Sequence, residues 1–157
     1  MRYQDQLIRD TRAAVDSLFK AARAMPQDKL TWKAGDDART ALDMCAECAQ
    51  VIPSTLEMLK ARAMPPMDAE QMQQECAERA SWSLEECERR CREECETFNA
   101  VLRDFPDEDL QKPIALPFGD REWTMADVAS YPLWNMTYHL GQISFIQLLY
   151  GDKEMYF

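Results

Sequence analysis

The chain has 157 residues, enough for one domain over 1–157 with a sizeable core. Its 18 Lys and Arg against 28 Asp and Glu leave a net charge of −10, which argues against nucleic-acid backbones and anionic membranes as partners. No apolar run reaches the roughly 18 residues of a membrane-spanning helix, and the start M-R-Y-Q-D-Q-L-I-R-D lacks a hydrophobic export signal, so the expected compartment is the cytoplasm. With only four glycines, and few Val or Ile outside helical patterns, the chain reads as all-α.

A first helix is expected over 4–24, with Leu7, Ile8, Val15, Leu18 and Phe19 on its apolar face and Pro26 as its stop. A loop follows, anchored by Leu30 and Trp32. Trp32 either lines a ligand pocket or plugs the end of a bundle. Asp36 or Asp37 is placed to cap a second helix over 38–61, with Pro53 inside it. This helix carries a wide apolar surface that includes Cys45, Cys48, Val51 and Ile52. Glu47 is its odd member, a carboxylate either at the rim of that surface or aimed into the core.

A third helix is expected over 68–103, the longest element, with Cys76, Ala80, Leu84, Cys87, Cys91, Cys95, Phe98 and Leu102 as one stripe. Charges at i, i+4, such as Glu85 with Arg89, Glu86 with Arg90 and Glu88 with Arg92, favour helix and describe a solvated face. The six cysteines sit at helical spacings that suit poor disulfide geometry, so they read as reduced packing residues. One C-A-E-C pair without a second is a weak signal for zinc or redox work.

The segment 104–124 breaks helix with three prolines and a glycine. Residues 114–116 and 121–123 can pair as a small hairpin around P-F-G-D, and Thr124 with Asp127 forms a variant capping box. The last helix, over 125–150, passes Pro132 and ends at Gly151. Within it Asn135, His139 and Gln142 share a stripe at i, i+4 and i+7, and His139 is the only histidine. Nearly everything else on this helix is apolar, so it is expected to be covered on more than one side. A homodimer with this last helix in the interface follows. Four helices, with a small irregular or hairpin insertion before the last, make a four-helix bundle.

The order helix, L-T-W loop, helix, long helix, L-P-F-G-x-x-x-W-T and a last helix with Y-H-L-G-Q-I resembles the DinB/YfiT-like superfamily. The resemblance spans nearly the whole chain and is most specific at Trp123-Thr124 and from Tyr138 to Ile143. It implies a four-helix bundle, often dimeric, with an internal metal site. One histidine of the second helix and two at i, i+4 on the last would hold that metal. It also implies activities such as thiol-dependent transfer. Carried over by position, His139 is the second histidine of the last helix, Asn135 stands in place of the first, and Glu47 stands in place of the ligand on the second helix. Cys48 is one residue away from that position. The resemblance turns Glu47 towards the core.

One imidazole and one carboxylate are a poor set for zinc or nickel, and an amide adds little. The expected cofactor is therefore none bound tightly, with Glu47 and His139 holding at most a weak divalent zinc or nickel ion. The expected function is a degenerate-site enzyme of the small-molecule or thiol-dependent transferase type. Glu47, His139 and Asn135 would be its catalytic groups, with Trp32, Cys48, Tyr138 and Gln142 around its pocket. The alternative is a non-catalytic binding or stress-related dimer that has lost the metal.

Overall fold

The computed structural model describes residues 1–66 and 68–156. Four long helices form the frame: α1 over Tyr3–Ala24, α3 over Ala41–Ala61, α5 over Leu84–Arg103 and α7 over Met125–Leu149. Shorter helices lie between them: α2 over Gln27–Leu30, α4 over Ala69–Arg79 and α6 over Asp107–Leu110. The long helices form a ring in which α1 and α3 each pack on both α5 and α7. The pairing of α3 with α7 is what brings the two polar helix faces together.

Each long helix buries one stripe. On α1 it is Leu7, Thr11, Val15, Leu18 and Ala22; on α5 it is Cys87, Cys91, Cys95, Phe98 and Leu102. The centre is filled by Phe19, Phe98, Ile52, Leu59, Met136 and Ile143, all essentially inaccessible to water. Packing of these large side chains is the main stabilising contribution, about 1.5–3 kcal/mol for each when fully buried.

The helix ends follow from local chemistry. Thr40 caps α3, its hydroxyl accepting from the Asp43 N–H at 3.1 Å, so the helix starts later than an Asp36 or Asp37 cap would give. Thr124 and Asp127 close a reciprocal capping box at the start of α7, with the Asp127 carboxylate accepting from the Thr124 N–H at 2.8 Å. Gly151, at φ 95°, occupies the left-handed turn just past α7. The hairpin is present but short: β1, Pro113–Ile114, pairs antiparallel with β2, Trp123–Thr124. The Trp123 indole N–H ties it by donating to the Phe118 carbonyl at 2.9 Å.

The expected continuous helix over 68–103 is instead two helices. Ser83 is extended, and its hydroxyl accepts from the Glu86 N–H at 3.2 Å, so α5 begins afresh there. The signal is S-L-E-E at 83–86, the opening of a capping box. Helix α4 buries none of its residues, and Cys76 and Ala80 are exposed, not part of the core stripe. The other five cysteines are buried and free. On α5, Glu86–Arg90 and Glu88–Arg92 pair as expected, whereas Arg89 bonds Glu86 and Glu93.

Candidate functional site

Glu47 points from α3 towards α7, not out at the rim. One carboxylate oxygen, Oε1, accepts from the Asn135 Nδ2 amide at 3.1 Å and lies 3.1 Å from His139 Nε2. One turn of α7 separates Asn135 from His139, so both reach the same oxygen, and both are almost fully buried. The other imidazole nitrogen, Nδ1, lies 2.7 Å from Gln142 Oε1. A carboxylate only accepts, so Nε2 carries a proton. With the Gln142 oxygen also facing the ring, both contacts are satisfied by the imidazolium. In the neutral ring, the Gln142 amide satisfies Nδ1 by turning its NH2 inward.

Two arginines close the other side. The Arg39 guanidinium pairs with the second oxygen, Glu47 Oε2, and with Asp43 Oδ2 at 2.6 Å. Arg79 reaches in from α4, with Nη2 3.3 Å from Asp43 and Nη1 2.7 Å from Gln50 Oε1 and 3.9 Å from Glu47. Hydrogen bonding from His139, then from Asn135 and Arg39, outweighs the cost of burial and holds the Glu47 carboxyl down at about 2. Glu47 is therefore an anion at any working pH and a weak proton acceptor. Two buried atoms of the cluster, Asn135 Oδ1 and Arg79 Nε, have no partner.

Of the residues singled out in the sequence, Glu47, Asn135, His139 and Gln142 come together. Tyr138 sets its ring edge-on to His139, at 5.3 Å between centroids, but it is half exposed and stacks on Trp134. Cys48 turns into the core beside the cluster, where burial pushes its thiol well above the usual range, so it packs and is not a ready ligand. Trp32 has Lys29 as its partner, 5.6 Å from the ring centroid, and nothing ties it to Glu47. The sequence reading missed Arg39, Asp43 and Arg79. Arg39, Asp43 and Glu47 recur every four residues, which places them along one line, whereas Arg79 was hidden by the expected continuity of α4 with α5. Tyr131, one turn before Asn135, also borders the cluster, where burial and then the Glu47 charge push its phenol up.

The model for the DinB superfamily matches residues 7–143. The chain belongs to the DinB superfamily. No curated protein sequence matches it. Among solved structures it is similar to YfiT from Bacillus subtilis, with a TM-score of 0.80 and 16% identity over 96% of this chain and 90% of that one. YfiT is described as a probable metal-dependent hydrolase with an unusual four-helix bundle topology. At this identity the likeness shows the DinB-like fold. Among the described residues, no three His, Cys, Asp or Glu side chains are grouped to hold a metal ion. The donors at the site do not suit one either. Both Glu47 oxygens are engaged, Asn135 offers its NH2 side to the cluster, and each His139 nitrogen faces an acceptor. No helix among the described residues is long and apolar enough to cross a membrane.

Proposed function

We propose that this DinB-superfamily chain is an enzyme of small-molecule chemistry, of the thiol-dependent transferase type, working at a degenerate metal site. The single observation that carries this is the convergence of the buried Asn135 and His139 on one oxygen of a half-buried, ionised Glu47. His139 is the proton-transfer group. Glu47 orients the imidazole and stabilises its charge, because a carboxyl held near 2 is too weak a base to take protons itself. Asn135 fixes Glu47 from the adjacent turn. Any zinc or nickel ion is held loosely, since it would have to displace groups already bonded to Glu47. The similarity to YfiT, described as a probable metal-dependent hydrolase, supports reading this fold as an enzyme's.

The same proposal includes a second copy of the chain. Tyr131, Trp134, Tyr138, Phe145, Leu148 and Leu149 are exposed along α7, and three of them stack, at 5.7 and 5.3 Å between centroids. From Val128 to Gly151 there is no Asp, Glu, Lys or Arg, which suits burial against another such helix.

The test is a panel of low-molecular-weight thiols paired with alkylating or epoxide acceptors, read by mass spectrometry of the products. Any turnover by the wild type should fall at least about a hundredfold in His139→Ala, the scale of acid–base catalysis, with the fold intact by circular dichroism. No transfer product with any pair, or turnover unchanged in His139→Ala, overturns the assignment.

A further inference from the structure

The groups around Glu47 raise a question of charge. A buried imidazole and a half-buried carboxylate, brought together by two helices, are two donors that a divalent cation can use. Here positive charge is already present. Arg39 holds Glu47 Oε2 and Asp43 Oδ2 together, and its third nitrogen donates to the Asp43 carbonyl at 3.3 Å. Arg79 adds a second guanidinium against Asp43 and Glu47, and its side chain is only 18% exposed. Two carboxylates are thus matched by two guanidinium groups, and the pairing crosses three elements: the segment before α3, α3 itself, and α4.

We propose that Arg39 and Arg79 are the resident cations of this site, supplying the fixed positive charge there and excluding a divalent metal ion from Glu47 and His139. This builds on the assignment of Glu47 and His139 as the reaction centre. A guanidinium cannot lose its proton in a protein, so the charge is constant, and its fork suits two carboxylates at once. A dication placed on Glu47 would sit within contact range of these groups. The like-charge repulsion there is only partly screened, because the Glu47 and Arg79 side chains are just 21% and 18% exposed. The arrangement also explains what α4 does. It buries no residue of its own, yet it delivers Arg79 to the site and is braced by Glu78, which pairs with Arg90 of α5 at 3.2 Å.

The proposal makes Arg39 and Arg79 specificity residues that act on what the centre can bind. Removing both frees the Glu47 carboxylate beside His139 Nε2, an O, N pair able to take a zinc ion whose shell water completes. The experiment is calorimetric titration of the full, chelator-stripped chain with zinc ions, followed in parallel by NMR of its one histidine ring. Arg39→Ala/Arg79→Ala should bind zinc at least about tenfold more tightly than the wild type, with the His139 ring signal shifting in step. Arg39→Lys/Arg79→Lys, which keeps the charge, should bind like the wild type. Adding His139→Ala to the double alanine change should abolish the gain.

Equal affinity in the wild type and the double alanine variant overturns the proposal. So does tight one-to-one zinc binding by the wild type, or a gain that survives His139→Ala. Should the double change impair folding, Arg39→Ala alone gives the same comparison, since Arg39 lies outside the helix and is partly exposed. The measurement needs no turnover, so its failure is separate from failure of the transfer reaction.

Discussion

Replacing Glu47 by Gln keeps the shape of the side chain and its acceptor oxygen while removing the charge on which Asn135, His139 and Arg39 converge. The carboxyl is held at about 2, against 4.5 for the same group free in water. At ~1.4 kcal/mol for each unit, that difference is worth about 3 kcal/mol of folding stability. Because the folded-state value is depressed, this stability is fully present above the unfolded value and is lost as pH falls towards 2. Urea unfolding of the wild type and Glu47→Gln should therefore differ by about 3 kcal/mol at neutral pH and by about 1 kcal/mol near pH 3.

Comparing the two proteins cancels the acid response of the other carboxylates. Glu86 is a control. Arg89 and Arg90 hold it equally low, but it is more exposed than Glu47 and its partners are surface arginines, where screening removes most of the benefit, so Glu86→Gln should change little. A Glu47→Gln penalty that is the same at pH 3 as at pH 7, or absent at both, would show that Glu47 is not held as an ion by its neighbours.

Three further outcomes are expected. In native protein, thiol reagent should label Cys76 at once and the five buried cysteines slowly, with all six reacting after denaturation without reductant; thiols missing in pairs would contradict the reduced core. Thr124→Ala should remove the cap of α7 and cost about 1 kcal/mol, or roughly 2–4 °C in melting temperature by calorimetry. Sedimentation should give twice the 18.2 kDa chain mass, and Trp134→Glu, placing a charge in the middle of the aromatic stack, should shift it towards monomer. A wild-type monomer would refute the α7 interface.

The fold was legible where a local signal and the global pattern agree. The apolar stripes of α1 and α5 follow from spacing alone. The Thr124–Asp127 box marks the start of α7 to the residue, because capping is chemistry between near neighbours. The hairpin was legible from its turn, although only two pairs form. The continuous helix was the failure: the i, i+4 charge pairs across 85–92 speak for helix but say nothing about where it begins. The stronger statement was Ser83 with Glu86 three residues on. Apolar spacing then misled at Cys76, whose periodicity matches a stripe it does not join, because a turn lies between.

The centre of the site was legible for a different reason. Asn135 and His139 are neighbours on any helix, so their shared environment needs no tertiary knowledge, and the family resemblance supplied α3 as the facing helix. The cations that surround Glu47 were not legible in the same way. Arg39 could have been noticed, since Asp43 and Glu47 follow it at fours, yet each is an ordinary surface residue until α3 turns that line towards α7. Arg79 could not, because its place depends on the break at Ser83. Were α4 and α5 one straight rod, Arg79 would lie one turn before Ser83 along the α5 axis, and not folded against Asp43 and Gln50. A four-residue turn thus decides which charges meet a carboxylate on another helix. That is why the donor set of this centre follows from the sequence, while the charges that govern what it can bind follow only from the fold.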